Sequence, residues 1–238
     1  MFRCSTAEFR TTSEPSATAG EASLSPAGRT GTTGSFTMDF RTWPRLYVVD
    51  VEGNGATPPD LVELAAVPVV DGRPMLASAR SVLVRPAHPI TPFASRVHGL
   101  TDRHVQNCPS WDEVAPRVRA DLDGVWIAAH NASVDYNVLL RHLPGWRPAG
   151  VLDTLRLARA TYPAAPRYSL DALVEFAGLD LAAIPGHRHR AGYDAHAAAL
   201  LLLNLASSYA TWNTMLASAV PPGMPGAPMP DHHEEQLW

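Results

Sequence analysis

Residues 46–51 constrain the fold most, because a run of apolar residues leads there directly into the acidic Asp50. Such a run predicts a buried β-strand. Two further apolar stretches follow at residues 61–70 and 77–84, and the Asp71-Gly72 pair between them is typical of a hairpin. The first part of the chain therefore predicts three antiparallel strands in a meander.

The second part of the chain alternates between helices and strands. Ser110 and Glu113 have the spacing of a capping box, which predicts a helix that runs to residue 122. Strands are predicted at residues 125–129 and 150–152, and further helices at residues 93–97, 102–105, 133–143, 170–176 and 192–210. The fold class is therefore α/β: a mixed five-stranded sheet, with three antiparallel and two parallel strands, flanked by helices.

Composition divides the chain into three parts. Residues 1–43 are rich in Ser, Thr, Gly and Ala without hydrophobic periodicity, which predicts disorder. Met38, close to the first structured-looking segment, is a candidate for the true start. Prolines interspersed with Gly and Met predict a disordered tail at 217–238. The folded domain is accordingly predicted at 44–216.

Charge and hydropathy restrict location and partners. The net charge is −4, all 19 basic residues are Arg, and the hydrophobic fraction is 46%. This charge argues against a protein that coats DNA non-specifically. No apolar stretch reaches the roughly 18 residues of a transmembrane helix, and no signal peptide is recognisable. Cys4 and Cys108 are isolated, so we expect a soluble cytoplasmic protein that makes no membrane contact.

Two acidic residues, Asp50 and Glu52, stand two positions apart at the end of the first predicted strand. Strand side chains alternate between faces, so both carboxylates face one way while Val49 and Val51 face the other. Carboxylates gathered on one buried face are costly unless a cation pairs with them. Oxygen ligands of this kind suit Mg²⁺ or Mn²⁺. A solvated strand end is the alternative, and the Asp-x-Glu pattern alone does not exclude it.

Three residues further along the chain are candidates for the same site. Asp135 follows a predicted strand and falls at the start of a helix, where the helix dipole favours an acid. Asp194 falls in the first turns of the last predicted helix. His189 would lie about 140° from Asp194 on a continuous helix. We therefore expect His189 in the loop at 185–191, folded over the site, where an imidazole suits proton abstraction from water.

These residues fall in three motifs that resemble those of the DnaQ-like, DEDDh exonucleases. The motifs read VDVEG at residues 49–53, HNASVD at residues 130–135 and HRAGYDA at residues 189–195. The segments 60–65, 97–101, 152–155 and 168–173 match in the family's order, so the resemblance spans residues 45–207. A sister subgroup carries Tyr at the position of Arg190, which indicates the subgroup with His.

The resemblance implies a ribonuclease H-like fold and a 3′–5′ exonuclease that releases nucleoside 5′-monophosphates with two divalent cations, Mg²⁺ or Mn²⁺. It implies that Asp50 bridges both cations. Glu52 and Asp194 would hold the cation that activates water, and Asp135 the cation at the leaving 3′-oxygen. His189 is implied as the general base.

Four residues are expected to contact the terminal nucleotide. Family members often carry Thr-Thr-Gly after the first motif's Glu, where this chain has Gly53-Asn54-Gly55. Glycine lets the substrate backbone approach closely, and Asn54 retains a hydrogen-bonding side chain. His98 and Asn131 are expected to shape the same pocket.

Other functions compete with this interpretation. An exoribonuclease of the same family would use the same phosphate chemistry. A zinc hydrolase is a rival because His187, His189, Asp194 and His196 lie close in sequence, although this spacing matches no zinc site that we recognise and leaves Asp50 unexplained. A catalytically idle nucleic-acid-binding module is a third possibility, which the complete acidic set disfavours.

The expected partner is a nucleic acid 3′ end, DNA rather than RNA. The chain contains no polymerase domain, so a proofreading role would require a polymerase partner. The end of the tail, residues 234–238, resembles short peptides that dock on sliding clamps, but a frayed terminus is the more common fate of such a segment.

Overall fold

The computed structural model of the chain describes residues 38–227. The strands are β1 (Leu46–Gly53), β2 (Leu61–Val70), β3 (Arg73–Pro74), β4 (Arg80–Leu83), β5 (Trp126–Ala129) and β6 (Gly150–Asp153). The helices are α1 (Pro92–His98), α2 (Asp102–Val105), α3 (Trp111–Leu122), α4 (Ser133–His142), α5 (Thr154–Thr161), α6 (Leu170–Phe176), α7 (Ala191–Ala206) and α8 (Trp212–Ala219). Short 3-10 helices lie at Phe40–Thr42 and Leu76–Ser78.

The sheet has an antiparallel and a parallel half, which confirms the predicted fold class. Strand β1 lies at the centre, antiparallel to β2 and parallel to β5, and β5 is parallel to β6. The outer edge of β2 pairs with both β3 and β4, so the sheet has six strands instead of the predicted five. The extra strand is the short β3, which was not predicted, while β4 corresponds to the third predicted strand and is shortened because a 3-10 helix takes up its start.

The Asp71-Gly72 turn joins β2 to β3 as predicted. Both residues have positive φ angles, 49° and 74°. A two-residue hairpin loop with a type I′ turn requires this combination, since its twist matches that of the flanking strands. Local sequence therefore fixes where the long strand β2 ends.

Two hydrophobic cores lie on opposite faces of the sheet. Leu46 and Val48 of β1 belong to the core that contains the inward face of α7. Tyr47 and Val49 belong to the core that contains residues of α4. Because side chains alternate along a strand, the face of Leu46 and Val48 continues into Asp50 and Glu52. The first acidic pair therefore lies on the α7 side.

The folded segment continues past the predicted boundary at residue 216, which falls inside α8. Trp212 of α8 packs edge-on against Trp126, with ring centroids 5.0 Å apart. Beyond α8, the carbonyl of Pro225 accepts a 3.0 Å hydrogen bond from the N–H of Val151 on β6. This contact covers the outer strand of the sheet, which would otherwise leave backbone groups unpaired. Residues 1–37 and 228–238, which include the proposed clamp-docking peptide, lie outside the described residues.

Most predicted helices are present with small shifts. The capping box of Ser110 and Glu113 begins α3 as predicted. Helix α4 begins at Ser133, and its N-cap is Ala132. Helices α5 and α8 were not predicted. Within residues 38–227, no helix combines the length and hydropathy that a membrane span requires.

Candidate active site

The acidic pair of β1 lies where regular strand pairing ends. Across the strand pair, Asp50 is opposite Ala65 and Glu52 is opposite Glu63. The register shifts directly after Glu52, at Gly53. Both carboxylates are partly buried, and they mark the edge at which further residues converge.

Asp194 brings a third carboxylate from the first turn of α7. One oxygen from each of Asp50, Glu52 and Asp194 lies within 4.8 Å of the other two. Three like charges at this separation repel one another strongly unless protons or a cation intervene. The group offers hard oxygen donors, which fit a divalent cation of the Mg²⁺ type.

Asp135 approaches the site from α4 and is 5% exposed. Its Oδ1 accepts a 3.1 Å hydrogen bond from the N–H of Val51. Its charge raises the pKa of Asp50. Asp135 is nevertheless outside the close group of three. Its effect on the pKa of Asp50 and its hydrogen bond to Val51 place it next to Asp50.

The pKa values of all four carboxyls are raised, and burial is the leading cause for each. Burial and the neighbouring Asp194 raise the pKa of Glu52 to about 8. Burial raises the pKa of Asp135 to about 7, against the lowering effect of its backbone hydrogen bonds. The pKa of Asp50 is raised by burial and by Asp135, and that of Asp194 by burial. The metal-free site therefore holds protons near neutral pH, as a site built for cations would.

His189 lies in the loop before α7, as expected. Its backbone is left-handed, with φ of 62°, and its N–H donates a 2.9 Å hydrogen bond to Oδ2 of Asp194. The His189 side chain is partly buried and lowers the pKa of Asp194 electrostatically. The imidazole is therefore near the acidic group.

Glu63 and Arg190 form an ion pair beside this group that the sequence did not predict. The two side chains are joined by a pair of hydrogen bonds of 2.8 and 2.9 Å. Glu63 is almost fully buried in an otherwise apolar strand. A buried acid in such a strand needs a cationic partner, and that requirement was the signal available in the sequence.

The sequence of this site matches an exonuclease family model over residues 47–202, which include all four acids and His189. The chain belongs to the DnaQ-like exonuclease family. It is a 3′–5′ exonuclease, and its acidic cluster is compatible with divalent metal binding.

Two relatives illustrate the family. The chain is 36% identical over 162 residues to Exodeoxyribonuclease 10 of Escherichia coli K12, covering 67% of this chain and 68% of that protein. It is 32% identical over 161 residues to the PolC-type DNA polymerase III of Streptococcus pneumoniae D39, of which it spans only 11%.

Solved structures show the same fold. Exonuclease X in complex with 5′ overhanging duplex DNA is 34% identical, with a TM-score of 0.59 over 68% of this chain and 92% of that one. Exonuclease I of Escherichia coli with a dT13 oligonucleotide is 16% identical, with a TM-score of 0.58 over 68% of this chain and 40% of that one. This second likeness shows the fold alone.

Two of the four residues expected to contact the terminal nucleotide, Asn54 and His98, are buried, and their contact with the nucleotide stays a prediction. The Asn54 side chain is 0% exposed and His98 is 2% exposed. The Asn54 Oδ1 accepts hydrogen bonds from the N–H groups of Ala56 and Asp60. His98 lies between the Gly53 carbonyl at 3.3 Å and the Leu100 N–H at 3.0 Å. Both side chains are used inside the protein, and they support the loop after β1.

Gly53 and Asn131 stay accessible and keep their expected roles as predictions. A Cβ atom at Gly53 would lie 2.9 Å from the Cβ of Pro59, so Pro59 can pack this closely only against a glycine. Asn131 is exposed and has φ of 65°. Its N–H donates to Oδ1 of Asp153, which fixes the turn between β5 and α4.

The rival zinc cluster is not assembled. Within residues 38–227, the group of Asp50, Glu52 and Asp194 is the one set of three possible ligands that come this close. His196 instead turns its Nδ1 to the carbonyl of Gly192, and Nδ1 of His187 lies 2.9 Å from the Arg188 carbonyl. Closeness in sequence therefore does not bring these histidines together around Asp194.

Proposed function

We propose that the protein is a metal-dependent 3′–5′ exodeoxyribonuclease that releases nucleoside 5′-monophosphates from single-stranded or frayed DNA 3′ ends. The observation that carries this proposal is the group of Asp50, Glu52 and Asp194 within 4.8 Å of one another. Asp135 adjoins Asp50 and completes a four-carboxylate set. Such a set fits two divalent cations, Mg²⁺ or Mn²⁺.

The chain's own residues divide the work at the scissile phosphate. Asp50, Glu52, Asp135 and Asp194 would hold two divalent cations, which when bound would neutralise charge and make a water molecule more acidic. His189 accepts the proton of the attacking water as general base, since its loop is tied to Asp194 through the His189 N–H.

A cavity beside Asn131 supports a path for the nucleic acid strand. It has a volume of about 510 Å³ and is lined by Asn131, Asp153, Arg156, Arg159 and the end of α8. Within residues 38–227, neither guanidinium forms an ion pair with an acidic side chain. The Oδ1 of Asp153 is engaged by the backbone N–H groups of Asn131, Leu155 and Arg156. The two arginines therefore suit the phosphates upstream of the terminal nucleotide.

DNA is favoured over RNA as the substrate by the relatives. Exodeoxyribonuclease 10 acts on DNA by its name, and it is 36% identical. The solved structure of a 3′-exonuclease that recognises the histone mRNA stem-loop is only 14% identical, so this likeness supports the fold but no choice of substrate.

A polymerase partner is a weaker proposal, suggested by the PolC-type relatives. A cytoplasmic location stays a prediction.

The proposal is tested with one panel of internally labelled substrates: single-stranded DNA, mismatched duplex, and RNA of the same sequence. Each is offered with a free 3′-hydroxyl and with a 3′-phosphate, under Mg²⁺, Mn²⁺ or EDTA. We expect stepwise release of nucleoside 5′-monophosphates from DNA, abolished by EDTA and by Asp50→Asn. Faster release from RNA would support the exoribonuclease alternative, and no release under any metal would support an idle binding module.

A further inference from the structure

A fifth carboxylate, Glu63, faces the acidic group but is not part of it. It lies directly opposite Glu52 in the β1–β2 pair, and its side chain is 4% exposed. Like charges placed opposite each other across strands destabilise a sheet. A buried carboxylate at this position is tolerated only if other groups satisfy it.

Arg190 and its neighbour satisfy Glu63 completely. The Arg190 Nε donates to Oε2 at 2.9 Å, and the other guanidinium nitrogen donates to Oε1 at 2.8 Å. The N–H of Ala191 donates to the same Oε2 at 3.2 Å, and the Ser81 hydroxyl to Oε1 at 3.4 Å. Both oxygens of Glu63 are thereby occupied by donors, which keeps Glu63 out of the cation-binding set.

The same contacts fix the loop that carries His189. On one side, the His189 N–H is held by Asp194. On the other side, the next two residues, Arg190 and Ala191, are both held by Glu63. The φ of 62° at His189 lies in a region that non-glycine residues rarely adopt. Such a conformation persists when its surroundings impose it, and these two anchors hold His189 itself and the two residues that follow it.

We propose that Glu63 and Arg190 are positioning residues, which hold the loop so that the His189 imidazole stays at the acidic group. This inference rests on the proposed function, since it assigns the pair a role in proton transfer by His189. The pair contributes no group to the substrate. Its contribution is the geometry of a loop at one end of α7.

The test uses Glu63→Gln and the conservative Arg190→Lys. Lys keeps the charge but loses the two-pronged contact. We expect kcat to fall roughly 10- to 100-fold in either variant, as is typical when a partner that orients a site residue is removed, with KM nearly unchanged. In a His189→Asn background, Arg190→Lys should cause little further loss, because no imidazole remains to be positioned.

A second readout needs no activity. Trypsin cleaves after arginine, and Arg188 lies exposed in this loop. We expect faster cleavage after Arg188 in metal-free Glu63→Gln and Arg190→Lys than in wild type, at a temperature where all are folded. The matched control for the activity measurement is Asp171→Asn, which removes the 2.7 Å ion pair of Arg188 at a solvent-exposed position of the site's surroundings. This control should change kcat little.

The outcomes separate two failures. If wild type releases no nucleotide, the proposed function fails, whatever the loop does. If wild type is active and either variant keeps wild-type kcat, the positioning role is overturned. A full additional loss from Arg190→Lys in the His189→Asn background also overturns it, because the pair would then act on the fold or on the carboxylates instead of His189.

Discussion

The N–H of Val51 donates a 3.1 Å hydrogen bond to Oδ1 of Asp135, which joins the end of β1 to the start of α4. Strand β5 pairs with β1 only as far as Val48. Beyond that point, the carboxylate of Asp135 supplies the acceptor that a neighbouring strand would otherwise provide. One oxygen of this acid is therefore structural, although its charge belongs to the active site.

This dual role predicts different results for two substitutions at Asp135. Asp135→Asn retains an oxygen acceptor and removes a charge that is unfavourable without metal, so the metal-free protein should be at least as stable as wild type. Asp135→Ala should lose about 1–3 kcal/mol because the Val51 N–H is left without its partner. Both should lose activity on the order of 100-fold or more, since metal-assisted catalysis is worth several kcal/mol. Urea unfolding in EDTA and initial rates measure the two effects, and equal stability of the two variants would contradict the structural role.

The raised carboxyl pKa values predict a stability that depends on pH and metal. The folded pKa values of about 8 for Glu52 and about 7 for Asp135 lie above the ordinary values of 4.5 and 3.8. The folded protein thus holds protons that the unfolded chain releases, so the metal-free stability should fall as pH rises from about 4 to 8.

Saturating Mn²⁺ at pH 8 should restore part of that stability. A ligand at 100 times its dissociation constant adds about 2.7 kcal/mol. Urea midpoints in EDTA and in Mn²⁺, measured across this pH range, test the prediction. Identical midpoints with and without the cation would show that the acidic group does not bind it.

His189→Asn is the appropriate variant for the general base, because Asn tolerates the left-handed backbone at this position. We expect kcat to fall roughly 10²- to 10⁴-fold, the usual contribution of a positioned base. Mn²⁺ affinity, measured by calorimetry, should change little because the imidazole is not among the three close ligands. A variant that keeps the wild-type kcat at saturating metal would remove His189 from the catalytic set.

Replacing both cavity arginines, Arg156→Glu with Arg159→Glu, should weaken binding to single-stranded DNA. The slope of log affinity against log salt should become shallower by roughly 0.7 for each phosphate that the variant no longer neutralises. Fluorescence anisotropy over a salt series measures this slope. Arg73→Glu is the control, since Arg73 is exposed on β3, which pairs with the far end of β2. An effect of equal size in the control would indicate a general charge effect instead of a strand path.

Asn54→Ala should destabilise the fold by about 1–3 kcal/mol, the usual cost when buried polar groups lose their partners. The N–H groups of Ala56 and Asp60 would lose their 3.1 and 2.9 Å acceptor. Asn137→Ala, at an exposed position of α4, is the matched control and should stay within about 0.5 kcal/mol of wild type. Urea unfolding compares the two, and equal stabilities would contradict the structural role of Asn54.

Much of the fold was predictable because its signals are local. The alternation along β1 placed Asp50 and Glu52 on one face, the Asp71-Gly72 pair marked the turn, and Ser110 with Glu113 marked a helix start. These features depend on residues a few positions apart. The extra strand β3, the helix α5 and the packing of α8 on Trp126 did not follow, because neighbouring elements decide them.

The sequence by itself determined which carboxylates and which histidine belong to the family's motifs. Only the tertiary structure decided how these groups are arranged. Glu63 and Arg190 are 127 positions apart, so no local pattern announces their contact. Asn54 directly follows the first motif and His98 lies in the segment 97–101, yet both are buried by the packing around them. Residue type and local spacing limit what a side chain can do, but burial and the partners of each polar atom are set when distant segments pack together.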